Sequence, residues 1–237
     1  MWVPGEQAGM GFEVSRRLGV ADTVTLVNAV VGFVAGAVAF ADLHLAARLL
    51  LLSVITDALD GIVARGSESS AVGPLLDSIT DVVSFGATPS LFVYVLLVER
   101  FGTVTETGPA MGVAITLVAS AYVVFSIVRT AFYETYIETA DGRPGMPNSL
   151  GAIVLSTAYL GGIHHPIVLA GVMLVFSVAM IAPFDYPKPG PKHVTPVGVV
   201  LALAVLAPDA LYQFGPRAVL VVALLFFLAG PRYYWAD

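Results

Sequence analysis

The chain has 237 residues, of which 57% are hydrophobic and 12% charged, and its mean hydropathy is +0.87. A soluble domain carries about 25% charged residues, so this composition belongs to an integral membrane protein. A net charge of −6 gives no basis for nucleic-acid binding, and the lack of cysteine excludes disulfides and cysteine chemistry. Lysine is confined to Lys188 and Lys192, and this lysine-poor, acidic balance points toward a high-salt organism.

A polar segment precedes the first apolar run, and no cleavable signal pattern is expected. Residues 8–20 (AGMGFEVSRRLGV) can form a short interfacial helix or a tail. Eight spans follow, near 24–41, 43–64, 73–98, 110–132, 150–163, 166–183, 194–208 and 215–231. The fifth and seventh are short, which leaves six or seven as alternatives. The expected architecture is an all-α, polytopic bundle forming one domain over 1–237, with the signature at 57–81. Residues 1–21 form its N-terminal segment, and 189–237 add helices at the C-terminal end.

The positive-inside rule supports an even span number with both termini cytoplasmic. Arg16, Arg17, Arg65, Arg129, Arg143, Lys188, Lys192 and Arg232 then fall inside, against Arg48, Arg100 and Arg217 outside. The Tyr233-Tyr234-Trp235 cluster reads as an interfacial anchor. His164 and His165 fall in an outer loop, and adjacent histidines do not share a helix face.

Four aspartates interrupt the apolar pattern at the second and third spans: Asp57, Asp60, Asp77 and Asp81. At 1.5 Å per residue, Asp60 lies roughly 7 Å inside its helix end and Asp77 roughly 6 Å, while Asp57 and Asp81 lie roughly 12 Å in. A short linker predicts that the two helices are antiparallel neighbours, so Asp57 is level with Asp81 and Asp60 with Asp77. Spacings of three and four residues keep each pair on one face. Gly61, Ala64 and Gly73 are small, which leaves room for a close approach to the backbone.

Converging carboxylates cannot all ionise unaided. Hard divalent cations solve this, and two of them, Mg²⁺ or Mn²⁺, would cancel the charge of four aspartates. Pairing with arginine would supply only Arg65 and Arg129 against four anions. A carboxylate-based proton or ion pathway also uses intramembrane acids. It leaves the glycines, the arginine and the shared depth unexplained.

The pattern Asp57-x2-Asp60-Gly61-x2-Ala64-Arg65 … Gly73-x3-Asp77-x3-Asp81 resembles the signature of the CDP-alcohol phosphotransferases. The loop from Gly66 to Val72 has seven residues, one fewer than is usual in that family. The run LDSITDVVSFGATPS, Gly145-Met146-Pro147, Arg129 and Tyr186-Pro187-Lys188 are similar to the phosphatidylserine synthase branch. The resemblance covers about Asp22 to Lys188 and makes the last two spans additions to a six-helix core.

The resemblance implies a membrane enzyme of phospholipid synthesis in the cell membrane, with its active site near the cytoplasmic face. Its donor would be CDP-diacylglycerol or CDP-archaeol and its acceptor L-serine, with CMP released. Asp57, Asp60, Asp77 and Asp81 would hold metal, and Asp81 would be the general base. Gly61, Ala64 and Gly73 would line the cytidine pocket. The guanidinium fork of Arg65 suits donor phosphate. Ser84, Arg129 and Lys188 are candidates for acceptor or phosphate contacts. Thr25 and Asn28 could touch the donor or only hold helices together. Glycerol 3-phosphate and inositol 3-phosphate are the alternative acceptors. Family members often dimerise, so a homodimer is an expectation, although the sequence carries no interface motif.

Overall fold

The computed structural model describes residues 18–66, 70–136, 143–187 and 191–233. The segment 8–20 lies mostly outside them, as do Lys188 and the Tyr234-Trp235 part of the aromatic cluster.

Helices fill the positions of all eight expected spans. They are α1 (Val20–Ala39), α2 (Leu43–Gly66), α3 (Gly73–Asp81) continuing into α4 (Thr88–Phe101), and α6 (Pro109–Tyr136). A four-residue helix, α5 (Val104–Thr107), lies between α4 and α6. Then come α7 (Asn148–Leu160), α8 (Pro166–Met180), α9 (Pro191–Leu206) and α10 (Phe214–Tyr233). Taken alone, four segments are long and apolar enough to cross a membrane: Val20–Ala39, Gly73–Thr107, Pro109–Thr135 and Phe214–Arg232. The short spans are α7 with 13 residues and α8 with 15, so the fifth and sixth are the shortest rather than the fifth and seventh.

The third span is not a uniform α-helix. Val82–Ala87 forms a π-helical turn directly after Asp81. Such turns arise where outside groups compete for the helix's hydrogen bonds. Here the Thr88 hydroxyl donates both to Val83 O at 3.0 Å and to Gly32 O on α1 at 2.9 Å. Pro89 opens α4 without an N–H to continue the regular ladder.

The second and third spans are neighbours as expected, but not along α3: α2 meets the third span mainly at the π turn and α4, while α1 packs along both α2 and α3, and the larger contacts of α2 are with α1, α7 and α9. Close approach explains this. Gly32 on α1 faces the Ser84 backbone and side chain, where any Cβ would collide. Small residues let membrane helices meet at this distance.

A buried core runs through the bundle from Ala35, Leu50 and Leu51 to Phe85, Phe92, Leu155 and Met173. On α6, the buried Tyr122 and Ser126 press against Gly151 of α7 and Gly86 of the π turn. The added helices dock on the core's flank, α9 on α2 and α10 on α7.

Two loops are tied by a minimal antiparallel pair of β1 (Arg143–Pro144) and β2 (Asp185–Tyr186), with Arg143 opposite Tyr186. Gly145 N donates to Phe184 O and Met146 N to Ala179 O, both at 2.9 Å. Gly145 has φ +75°, and a Cβ there would strike the Met180 carbonyl. Tyr186 reaches α10, where its hydroxyl donates to Phe227 O at 3.2 Å and its ring stacks on Phe227.

Candidate metal centre and active site

The aspartates come from two elements held apart by a third. Asp57 and Asp60 lie in the last turns of α2, and Asp77 and Asp81 lie on α3. Carboxylate oxygens of Asp57, Asp77 and Asp81 all lie within 4.8 Å of one another. Asp77 is exposed and the other two are half-buried, so the cluster opens to the end of the bundle.

Asp60 stands to one side of this trio and is buried. The Thr25 hydroxyl of α1 and the Gly61 N–H lie within hydrogen-bonding reach of its carboxylate, and Asp77 is close enough to act on it electrostatically. Its Oδ2 is buried with no hydrogen-bond partner among the described residues. A buried carboxylate oxygen with no donor is costly. The level pairing of Asp60 with Asp77 agrees with this proximity.

The donor set is oxygen only and crowded with negative charge. That is the chemistry of a hard divalent cation and a poor fit to softer metals, which favour nitrogen and sulfur. Together with the orphaned Asp60 oxygen, it makes these residues suited to hold metal.

A fifth carboxylate, missed in the sequence, borders the cluster. Asp22 in the first turn of α1 is 3% exposed, and its Oδ2 accepts the Gly19 N–H at 2.6 Å. Its Oδ1 sits 3.0 Å from where a Cβ on Gly73 would stand. α3 therefore begins close against Asp22 at Gly73. An acid at the start of a span was the available signal.

Of the other candidates, Gly61 lies on α2, partly exposed, directly after Asp60. Ala64 and Arg65 close α2, and their side chains are outside the described residues. Arg129 on α6 is 7% exposed, with its guanidinium 4.8 Å from the Tyr133 ring centroid. Nearby, Ser78 of α3 donates to Glu134 of α6 at 2.6 Å. Asn148 Nδ2 donates to Thr130 at 2.9 Å, while its Oδ1 stays buried without a donor among the described residues.

The structure places Ser84 inside the bundle, against α1. It is fully buried, and its hydroxyl donates to Asn28 O at 3.2 Å. Asn28 is likewise internal, and its Oδ1 accepts from Ser53, with the Thr56 hydroxyl 3.3 Å from it. His164 lies against Tyr159 in an exposed loop at the far end, remote from the aspartates.

Residues 18–184 match the model of the CDP-alcohol phosphatidyltransferase family, and the chain belongs to that family. It is a CDP-alcohol phosphotransferase of phospholipid synthesis, built as a helical membrane protein. Among its relatives is the archaetidylserine synthase of Methanothermobacter thermautotrophicus, 27% identical over 181 residues, covering 74% of this chain and 72% of the relative. The CDP-diacylglycerol–serine O-phosphatidyltransferase of Methanocaldococcus jannaschii is 29% identical over 197 residues, covering 82% and 87%. The enzyme of the same name from Helicobacter pylori (strain J99) is 30% identical over 154 residues, covering 61% of each chain.

Proposed function

We propose that this enzyme transfers the phosphatidyl or archaetidyl group of a CDP-linked lipid to the hydroxyl of L-serine and releases CMP. The observation that carries the chemistry is the meeting of Asp57, Asp77 and Asp81 oxygens within 4.8 Å at one end of the bundle. The acceptor rests on the relatives, whose names specify serine or archaetidylserine.

In this reading the aspartate end faces the cytoplasm of the cell membrane, and the lipid tails of the donor stay in the bilayer. Two divalent cations, Mg²⁺ or Mn²⁺, held by Asp57, Asp60, Asp77 and Asp81 would neutralise the diphosphate and stabilise charge on departing CMP. Asp81 takes the proton from the serine hydroxyl. The freed oxygen forms a bond to the lipid-side phosphorus, and the bond from that phosphorus to the CMP oxygen breaks. Gly61 and Ala64 leave space on α2 for the nucleotide, and Arg65 grips donor phosphate with its fork. Arg129, a buried cation on α6, would meet anionic groups of the reactants, and Lys188 would be a further contact for acceptor or phosphate.

The test is CMP release by purified protein with Mg²⁺ or Mn²⁺ and either CDP-diacylglycerol or CDP-archaeol. Serine, glycerol 3-phosphate and inositol 3-phosphate are compared as acceptors. Release with serine alone is expected. Release only with a phosphorylated acceptor overturns the serine assignment and keeps the chemistry. No release under any combination overturns both.

A further inference from the structure

α2 packs little along α3 and meets the third span mainly at the π turn and α4. Among the described helices, α1 makes the most extensive contact with both α2 and α3. One residue of α1 bonds both to α2 and to the π turn.

Asn28 is fully buried on α1. Its side-chain Oδ1 accepts the Ser53 hydroxyl on α2, and the Thr56 hydroxyl, which donates to Ser53 O at 2.8 Å, lies 3.3 Å from the same oxygen. Thr56 is the residue before Asp57, about 3.8 Å from it along the backbone. The backbone carbonyl of Asn28 accepts the Ser84 hydroxyl at 3.2 Å. Ser84 lies three residues after Asp81, within one helical turn. One turn further along α1, Gly32 O accepts Thr88 at 2.9 Å, and the missing Gly32 side chain admits the Ser84 backbone. Asn28 thus grips α2 beside Asp57 with its side chain and the π turn beyond Asp81 with its backbone. In a buried, low-dielectric setting such bonds are strong and directional.

We infer that Asn28 is a positioning residue that sets the distance between the two aspartate-bearing elements, and through it the affinity of the cluster for a divalent cation. In this role it acts through Ser53 and Ser84 and is not itself a metal ligand. The inference rests on reading the aspartates as the metal site. Partners one shell behind metal ligands hold them in place, and their loss weakens binding about 10- to 100-fold. Helix packing alone would instead cost stability and leave affinity unchanged.

The experiment is direct Mn²⁺ binding, followed by electron paramagnetic resonance of free Mn²⁺, on full-length protein in detergent, with a melting curve for each variant. Asn28→Ala is expected to weaken Mn²⁺ binding about 10-fold or more. Ser53→Ala with Thr56→Val removes the same bonds from the α2 side and decides the matter if Asn28→Ala does not fold. Adding Asn28→Ala to that pair should bring little further loss, since the bonds are shared. Ser177→Ala, which removes a buried hydroxyl bonded to Met173 O at 2.9 Å on α8, should lower the melting temperature and leave Mn²⁺ affinity alone. Affinity within about twofold of the parent in both Asn28→Ala and the Ser53/Thr56 pair overturns the inference. If the parent itself binds no Mn²⁺ and Asp57→Asn behaves identically, the metal reading fails first and this inference with it.

Discussion

At the end of the bundle away from the aspartates, the arginines are spent on neighbouring helices. Arg48 donates to Val205 O at 2.7 Å near the end of α9, and Arg217 donates to Gly161 O at 3.0 Å just past α7. Arg217 also meets Gln213, and His44 lies 3.7 Å from Asp209. At the aspartate end, Asp60 Oδ2 and Asn148 Oδ1 are buried with no hydrogen-bond partner among the described residues. Polar groups that satisfy each other hold a structure together, whereas polar groups left over inside a membrane protein await something else. The contrast separates charges that staple helix ends from charges at the aspartate end kept for chemistry. Arg48 and Arg217 each satisfy a carbonyl that a helix end leaves open.

That contrast can be broken by substitution. The largest effect is expected at the aspartate end, where Asp81→Asn should cut CMP release about 10²- to 10⁴-fold while the protein melts normally. Loss of folding in place of loss of turnover would make Asp81 a staple like Arg48 and Arg217. Next comes the strand pair at the same end. Gly145→Ala forces a side chain into a positive-φ position against the Met180 carbonyl, and should destabilise by about 3 kcal/mol or more, read as a lower melting temperature. An unchanged melt would mean that the strand pair carries no strain. The smallest effects belong at the other end. Arg48→Ala and Arg217→Ala should each cost about 0.5–1.5 kcal/mol of stability and leave the turnover of folded enzyme unchanged. A turnover defect there would erase the division between the two ends.

The sequence made the helices legible because hydropathy is a property of each segment by itself. It made the four aspartates legible because their spacing and depth are local. What it hid was everything decided between segments. The bonds from Ser84 to Asn28 O and from Thr88 to Gly32 O each join residues 56 positions apart, and neither hydroxyl differs in sequence from a ligand-binding one. Sequence alone therefore does not reveal that the Ser84 hydroxyl is held by α1. Nor does a glycine announce what stands beside the room it leaves, which at Gly73 includes Asp22. The π turn was illegible for the same reason, because its cause lies partly on α1.

The brevity of α8 has a physical consequence for the surrounding lipid. Its 15 residues span about 22 Å, against a hydrocarbon core of about 30 Å, and Ile167, Val175 and Val178 leave one of its faces exposed. A bilayer beside so short a helix thins locally, or lets headgroups and water dip below their usual plane. α8 ends at Met180, whose carbonyl faces Gly145 in the loop that leads into α7, so part of that shortfall can form a dimple at the aspartate end. A water-soluble amino acid and an oil-anchored donor would then meet at a common level, without the lipid being lifted out of the membrane or the amino acid being driven into oil.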